Sequence, residues 1–153
     1  MTAEELLERY AAGERDFSRA NLKGLSLRSA NLHGSNLSKA NFCNAELVYA
    51  DLSRTDLTGA NLKNAVLGAA DLTEANLTGA DLAGANLAGA NLTRANLAEA
   101  SFDVNSIVVG ANFEEADLRD SEFFEAGESN MSFYRNTIMP DGITEIGPYT
   151  YYG

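Results

Sequence analysis

The sequence of 153 residues is poor in the side chains that build chemical sites. It contains one cysteine, Cys43, one histidine, His33, and no tryptophan. A lone cysteine forms no disulfide within the chain, which fits a reducing compartment. There is no second cysteine, and the pattern places no partner near Cys43 that would activate its thiol or complete a metal-binding cluster. We therefore expect no catalytic residues, no metal and no cofactor, and hence no enzyme activity.

Long hydrophobic runs are also absent. No stretch of about 18 apolar residues exists that would form a membrane-spanning helix. The first ten residues, MTAEELLERY, lack the basic-then-apolar order of a secretory signal. These features predict a soluble, cytoplasmic protein that does not contact membranes.

Basic residues are scarce in the C-terminal part, and the net charge is −11. Residues 1–63 carry eight acids and eight bases, whereas residues 64–153 carry fourteen acids and three bases. Acidic surfaces repel nucleic acid and favour basic partners, so direct nucleic-acid binding is not expected. Two interpretations remain open, simple solubility or an acidic face. The candidate residues for that face are Glu114, Glu115, Asp117, Asp120, Glu122 and Glu125.

What the sequence has instead is a period of five residues. A large apolar residue recurs at every fifth position from Phe17 to Ile107, nineteen times without a break. A small residue, mostly alanine, lies two positions earlier, and asparagine or aspartate usually stands between them. Positions two apart in a strand share a face, so the small and the large residue point inwards. The repeat predicts a narrow coil with a solid interior and no lumen for a ligand.

The two remaining residues of each unit fit the corners of a β-turn. The second corner residue is often glycine or asparagine, as at Gly24 and Asn44. These residues tolerate the positive φ of a type II turn. Where a longer side chain stands there, we expect a turn without positive φ. Those positions are Arg19, Lys39, Arg54 and Glu74.

The pattern over about residues 15–144 resembles the A(D/N)LXX repeat of the pentapeptide-repeat family. The resemblance implies an all-β fold, a right-handed quadrilateral β-helix with twenty residues per coil and therefore about six coils. Stacking of these coils would place Asn21, Asn41 and Asn61 in a hydrogen-bonded amide ladder. Members of the family are abundant in cyanobacteria, which suggests a cyanobacterial source.

The ends of such a column need covers, because unpaired strand edges promote association. Residues 1–14 predict a short capping α-helix, with a capping box at Thr2 and Glu5 and a stop at Gly13. Residues 145–153 form an aromatic tail that either caps the other end or, through Tyr151 and Tyr152, joins two copies as a homodimer. Otherwise we expect a monomer.

Two irregularities interrupt residues 15–144, near 108–112 and near 126–132. The first is expected to point Val108 and Val109 outwards beside an inserted residue. The second is expected to expose Phe124 and Tyr134. With the two tail tyrosines these residues form the candidate protein-contact surface. The alternative is a local irregularity without a role.

Two functions remain open. The first is a non-catalytic protein-interaction scaffold whose partner is unknown. The second follows from the resemblance, because some pentapeptide-repeat proteins mimic a DNA duplex in width and charge and act on DNA gyrase. On that alternative the acidic residues would engage gyrase or another DNA-binding protein.

Overall fold

The protein is a column of stacked four-sided coils. The computed structural model describes residues 1–123, 132 and 134–145. Helix α1 spans Ala3–Ala11, and two short strands, β1 (Thr137–Ile138) and β2 (Thr144–Glu145), follow the coils. Each side of a coil meets the next coil through a single-residue parallel bridge. From Asp16 to Ser101 these bridges join residues twenty apart, which is four repeat units per coil.

The inward side chains fill the column. Large centres such as Leu32, Leu52 and Leu72 are fully buried, as are small residues such as Ala40 and Ala60. Burying one leucine stabilises the fold by about 1.5–3 kcal/mol. The small and the large inward residues belong to one continuous core cluster. The predicted solid interior follows from this pairing of large and small residues.

The corners are β-turns, but the prediction for the longer side chains is wrong. Arg19, Lys39, Arg54 and Glu74 all have φ angles between 56° and 58°. The cause lies in the main chain. The N–H of the second corner residue donates to the next coil, as from Arg19 to the Ser38 carbonyl at 2.8 Å. A type II turn directs its middle peptide along the column axis, so positive φ is needed whatever the side chain.

Asparagine and aspartate brace the turn that follows them. Oδ1 of Asp71 accepts the backbone N–H of Thr73 at 2.9 Å and its hydroxyl at 2.5 Å. The predicted amide ladder is weaker than expected, because Asn41 Nδ2 lies 3.5 Å from Asn21 Oδ1. That distance exceeds the usual range for N–H···O bonds. The side-chain oxygen Oδ1, which accepts the turn N–H, therefore explains why asparagine or aspartate stands at the middle of each unit. Aspartate provides this oxygen as well as asparagine does.

Helix α1 begins with the predicted capping box. Glu5 N–H donates to the Thr2 hydroxyl, and the Glu5 carboxylate accepts from the Thr2 N–H. Leu6 is fully buried in the common core. The Tyr10 hydroxyl lies 3.0 Å from Asn31 Oδ1, on the first complete coil. These contacts hold the helix against the N-terminal coil.

The extra residue of the repeat lies earlier than predicted. The bridge from Asn86 reaches Ile107, twenty-one residues on, so the insertion falls between Phe102 and Val108. Ser106 takes the small inward position, and its hydroxyl donates to the Leu82 carbonyl at 3.0 Å. Val108 is therefore the inward centre and fully buried, whereas Ile107 points outwards. The predicted insertion at 108–112 and the outward Val108 are wrong.

The last coil is shifted in the same way. Tyr134 is buried and stacks on Phe113, with ring centroids 5.4 Å apart. Ser132 occupies the small inward position before it, since its hydroxyl donates to the Val108 carbonyl. The prediction that Tyr134 is exposed is therefore wrong. The irregularity near 126–132 lies outside the described residues except for Ser132.

Strands β1 and β2 form an antiparallel hairpin that places Ile138 opposite Thr144. The loop residues Pro140, Asp141 and Gly142 suit a tight turn, with φ of 79° at the glycine. Ile138 also bridges Asp117 in the preceding coil. Strand β2 therefore occupies the other edge of β1. Of the predicted tail 145–153, only Glu145 lies within the described residues.

The corner geometry predicts opposite effects for two simple substitutions. Ala69 has φ of 51°, and Gly79 has φ of 63° with no heavy atom within 4 Å of an added Cβ. We expect Ala69→Gly to raise the free energy of unfolding by about 0.5–1 kcal/mol and Gly79→Ala to lower it by about 1 kcal/mol. Urea denaturation measures both. Ala98→Gly is the control, since Ala98 lacks positive φ and glycine there should only destabilise.

Candidate interaction faces

Outward side chains stack into columns, because each coil repeats the last at a step of about 4.8 Å. We number the four flat faces by the inward centres of the first coil. The first face follows Phe17, the second Leu22, the third Leu27 and the fourth Leu32. Each face continues through the coils that bridge to it. Chemistry on a face is therefore set by residues twenty or twenty-one apart.

The third face carries no charged side chain between Asn64 and Gly110, a stretch that is described throughout. Val104 is 71% exposed, Ile107 43% and Val109 40%. Val66, half-buried, lies two coils before Ile107 in the same column. We call these four residues the apolar patch. Its neighbours are small, namely Gly68, Gly84, Ala88 and Gly110.

The structure retains only part of the predicted contact surface. Val109 is exposed as expected, whereas Val108 and Tyr134 belong to the core. Phe124, Tyr151 and Tyr152 lie outside the described residues. Ile107 was not predicted to be part of this surface, because it falls on the fivefold count of inward residues. The signal that reveals it is Ser106, a small residue two positions before Val108 rather than before Ile107.

The loop around the insertion is held by Asp103. Its Oδ1 accepts the Gly84 N–H at 2.8 Å and the Asn105 N–H at 3.0 Å. These bonds, that from Gly84 above all, hold the pKa of the Asp103 carboxyl below its ordinary value. Asp103 thereby ties the loop to the preceding coil and fixes the outward direction of Val104.

The predicted acidic residues do not form one face. Glu114 and Glu115 lie at the corner between the fourth and first faces, Asp117 on the first face, Asp120 at the corner between the first and second, and Glu122 on the second. The first three have arginine partners, and Glu125 is outside the described residues. The pairs are Glu114 with Arg135 at 3.6 Å, Glu115 with Arg94 at 2.5 Å and Asp117 with Arg119 at 2.5 Å.

Two of these arginines lower the pKa values of the carboxyl groups that they contact. The hydrogen bond from Arg94 is the main reason why the pKa of Glu115 is lowered. Arg119 lowers the pKa of Asp117 in the same way. Both carboxylates are therefore charged at neutral pH but locally neutralised. Asp120 and Glu122 remain as exposed anions with no ion pair within the described part of the chain.

The two side chains with chemical potential are dispersed. His33 Nδ1 lies 2.8 Å from Ser53 Oγ on the fourth face. Cys43 is half-buried on the second face. In residues 1–123, 132 and 134–145 no three histidine, cysteine or acidic side chains are grouped to hold a metal ion. Nor does this part contain a helix with the length and apolar character needed to traverse a bilayer.

Stacked coils of this kind define a solenoid repeat protein, and comparison with known families gives the class. The family model for pentapeptide repeats matches in eight copies over residues 16–45, 26–64, 35–73 and 70–103. These matches together span more than half of the chain. The protein therefore belongs to the pentapeptide repeat family, which supports the right-handed β-helix that the resemblance implied.

Solved structures of the same kind are similar to this chain. The pentapeptide repeat protein Rfr23 from the cyanobacterium Cyanothece is 30% identical, with 89% of this chain and 98% of that one covered and a TM-score of 0.42. A pentapeptide repeat protein from Nostoc is 41% identical over 68% of this chain and 82% of its own, with a TM-score of 0.28. QnrB1, a plasmid-mediated fluoroquinolone resistance protein, is 19% identical over 86% of this chain and 85% of its own, with a TM-score of 0.40. No curated protein is similar enough to count as a match.

The Asp103 contacts predict a local dependence on pH. Because the pKa of this carboxyl is lowered in the folded protein, its contribution is complete above the pKa of an unfolded aspartate. It is lost as the pH falls through the lowered folded value. We expect the Gly84 amide to exchange faster in Asp103→Ala than in the wild type, as measured by hydrogen exchange.

The matched variant Asp103→Asn keeps an oxygen acceptor without a titratable group. Its Gly84 opening equilibrium, after correction for the pH dependence of intrinsic exchange, should change little with pH. Equal protection of Gly84 in all three proteins would contradict the anchoring role.

Proposed function

We propose that the protein is a non-catalytic interaction scaffold that binds another protein through the apolar patch on its third face. The observation that carries this proposal is the exposure of Val104, Ile107 and Val109 beside an uncharged surface. Membership of the pentapeptide repeat family supports a binding role, because its fold fills its interior with alanine and leucine. The outer faces are then the surfaces available for recognition.

The patch is well suited to binding in energetic terms. Covering an exposed valine or isoleucine completely contributes up to about 1.5–3 kcal/mol. Branched side chains such as these lose little rotamer freedom on binding, because their χ1 angles are already restricted. The small neighbours, Gly68, Ala88 and Gly110, permit close approach of a flat partner surface.

Polar groups border the patch and supply orientation. Asn64 and Asn105 lie at its edges, whereas Asn86 lies within it between Val66 and Ile107, and all three carry amide groups. A hydrophobic centre with a polar rim is the usual anatomy of a protein interface. The partner we expect therefore presents a flat apolar surface with few charges.

The test uses the double variant Ile107→Ser with Val109→Ser. A photo-crosslinking residue in place of Val104 first identifies the partner in extracts of the source cells. We then expect the double variant to bind the purified partner at least about tenfold more weakly, because two apolar contacts are lost. Isothermal titration calorimetry measures the dissociation constants.

The matched control removes exposed apolar side chains elsewhere. Leu7 and Ile143 are exposed on α1 and in the hairpin loop, and Leu7→Ser with Ile143→Ser should leave the affinity unchanged. A partner that binds the patch variant as tightly as the wild type would refute the proposal.

The DNA-mimic alternative has weaker support. Glu99, Asp120 and Glu122 are exposed anions near the C-terminal end, which favours a basic partner. Against it, Glu114, Glu115 and Asp117 are paired with arginines, and the second face begins with cations. We expect no inhibition in a DNA gyrase supercoiling assay at high protein excess. Inhibition that Asp120→Lys with Glu122→Lys abolishes would favour the mimic instead.

A further inference from the structure

Charges on the second face are separated along the column axis. This face comprises the corner column of Arg19, the middle column of Asn21 and the following corner column of Lys23. Among its described residues, the first three coils hold only cations and the next three only anions. The cations are Arg19, Lys23, Lys39 and Lys63. The anions are Asp81, Glu99, Asp103, Asp120 and Glu122.

The Arg19 column shows the separation most clearly. Read in the direction of the chain, it runs Arg19, Lys39, Gly59, Gly79, Glu99 and Asp120. All six residues are exposed. Two cations therefore stand one step apart at one end, two anions stand one step apart at the other, and two glycines lie between them.

The corner column between the fourth and first faces has the opposite arrangement. There Arg54, Glu74, Arg94 and Glu115 alternate in sign, and neighbouring residues form ion pairs. Arg54 lies 2.9 Å from Glu74, and Arg94 lies 2.5 Å from Glu115. When the sign of the charge alternates along a column, its residues can form ion pairs with one another.

The second face satisfies few of its charges internally. Within the described residues, Lys63 with Asp81 at 3.2 Å is its single ion pair. Like charges one coil apart, such as Lys39 and Arg19, repel each other at a step of about 4.8 Å. Such a pattern is unfavourable in an isolated column, and it becomes favourable when opposite charges are supplied from outside.

A second copy of this chain supplies those charges with the required spacing. We propose that two copies pair through their second faces in antiparallel orientation, about a two-fold axis between Gly59 and Gly79. The rotation leaves each column opposite itself in reverse order. Arg19 then faces Asp120 of the second copy, Lys39 faces Glu99, and Gly59 faces Gly79.

The same two-fold axis is also compatible with the charges in the other two columns of the face. In the middle column, Asn41 faces Ser101 of the second copy, and Asn61 faces Asp81. In the following corner column, Lys63 faces Ala83. No two like charges of the described residues are opposed. The symmetry is closed, so pairing ends at a dimer rather than a filament.

The geometry also sets the strength of the association. Arg19 and Asp120 are five steps apart, so the matched surface is about 24 Å long. It is narrow and polar, which places it among the smaller, transient interfaces. Exposed ion pairs contribute modestly and are screened by salt. The dimer is therefore weak and dissociates as the ionic strength rises.

The experiment measures self-association of the full chain by sedimentation equilibrium at low salt. The wild type should dimerise, and its dissociation constant should rise at least about tenfold between 0.05 and 0.5 M salt, the approximate limits of the titration. Lys39→Glu and Glu99→Lys should each weaken the dimer about tenfold or more. The contact between positions 39 and 99 occurs twice in the symmetric dimer, and each variant places like charges opposite one another at both contacts.

A mixture of the two variants tests charge complementarity, and the double variant decides the orientation, because its self-pairing opposes unlike charges only when the copies are antiparallel. In an equimolar mixture of Lys39→Glu and Glu99→Lys, antiparallel pairing again opposes unlike charges, so heterodimers should form. The double variant Lys39→Glu with Glu99→Lys should recover self-association. Arg28→Glu and Glu8→Lys change the charge by the same amounts on other surfaces, at exposed positions, and should dimerise like the wild type.

Three results would overturn the proposal. They are a wild type that stays monomeric at low salt, a dimer that both single variants leave unchanged, and single variants that fail to recover on mixing. A dimer unaffected by second-face variants would point to another surface, such as the C-terminal end. Binding at the apolar patch is measured with other residues, so the two proposals stand or fall separately.

Discussion

Main-chain hydrogen bonding between coils is the constraint on which this structure depends. Leu22 donates to the Asn41 carbonyl at 2.8 Å, and Asn41 donates to the Ala20 carbonyl at 2.9 Å. Peptide groups that point along the axis leave only two directions for side chains, into the column or out of it. The corner peptides join the same ladder, so residues such as Arg54 adopt positive φ. The ladder thus overrides local preference at the corners.

Sequence periodicity was sufficient to predict the core from Phe17 to Phe102, because both inward positions of each unit are visible there. The prediction failed where the spacing of the large residues was used without the small residue that should precede each of them by two positions. Ile107 falls on the fivefold count, yet Ser106 identifies Val108 as the inward residue. Side-chain type also misled at the corners, since the φ angle is imposed by a hydrogen bond to a residue nineteen positions away. Contacts at that separation leave no trace in a five-residue window.

The candidate surfaces were predictable only in outline, because they are properties of columns and not of segments. The acidic residues are neighbours in sequence, but Glu114, Asp117 and Glu122 lie on different faces. Conversely, Lys39 and Glu99 share one column although sixty residues separate them. Reading every twentieth residue, with one added after Phe102, recovers both the uncharged third face and the charge separation of the second. The resemblance implied the coil length of twenty residues, but the position of the inserted residue comes from the structure.

The two surfaces have a joint consequence that follows from symmetry alone. A two-fold axis lying across the second face leaves the direction of the adjoining third face unchanged. In the proposed dimer both third faces would therefore point in the same direction, and the column that contains Val66 and Ile107 in one copy would lie beside the same column of the other. One partner with two apolar sites would then gain from an increased effective concentration at the second site. Weak pairing and a modest apolar patch would reinforce each other, and salt that separates the copies would also weaken binding of such a partner.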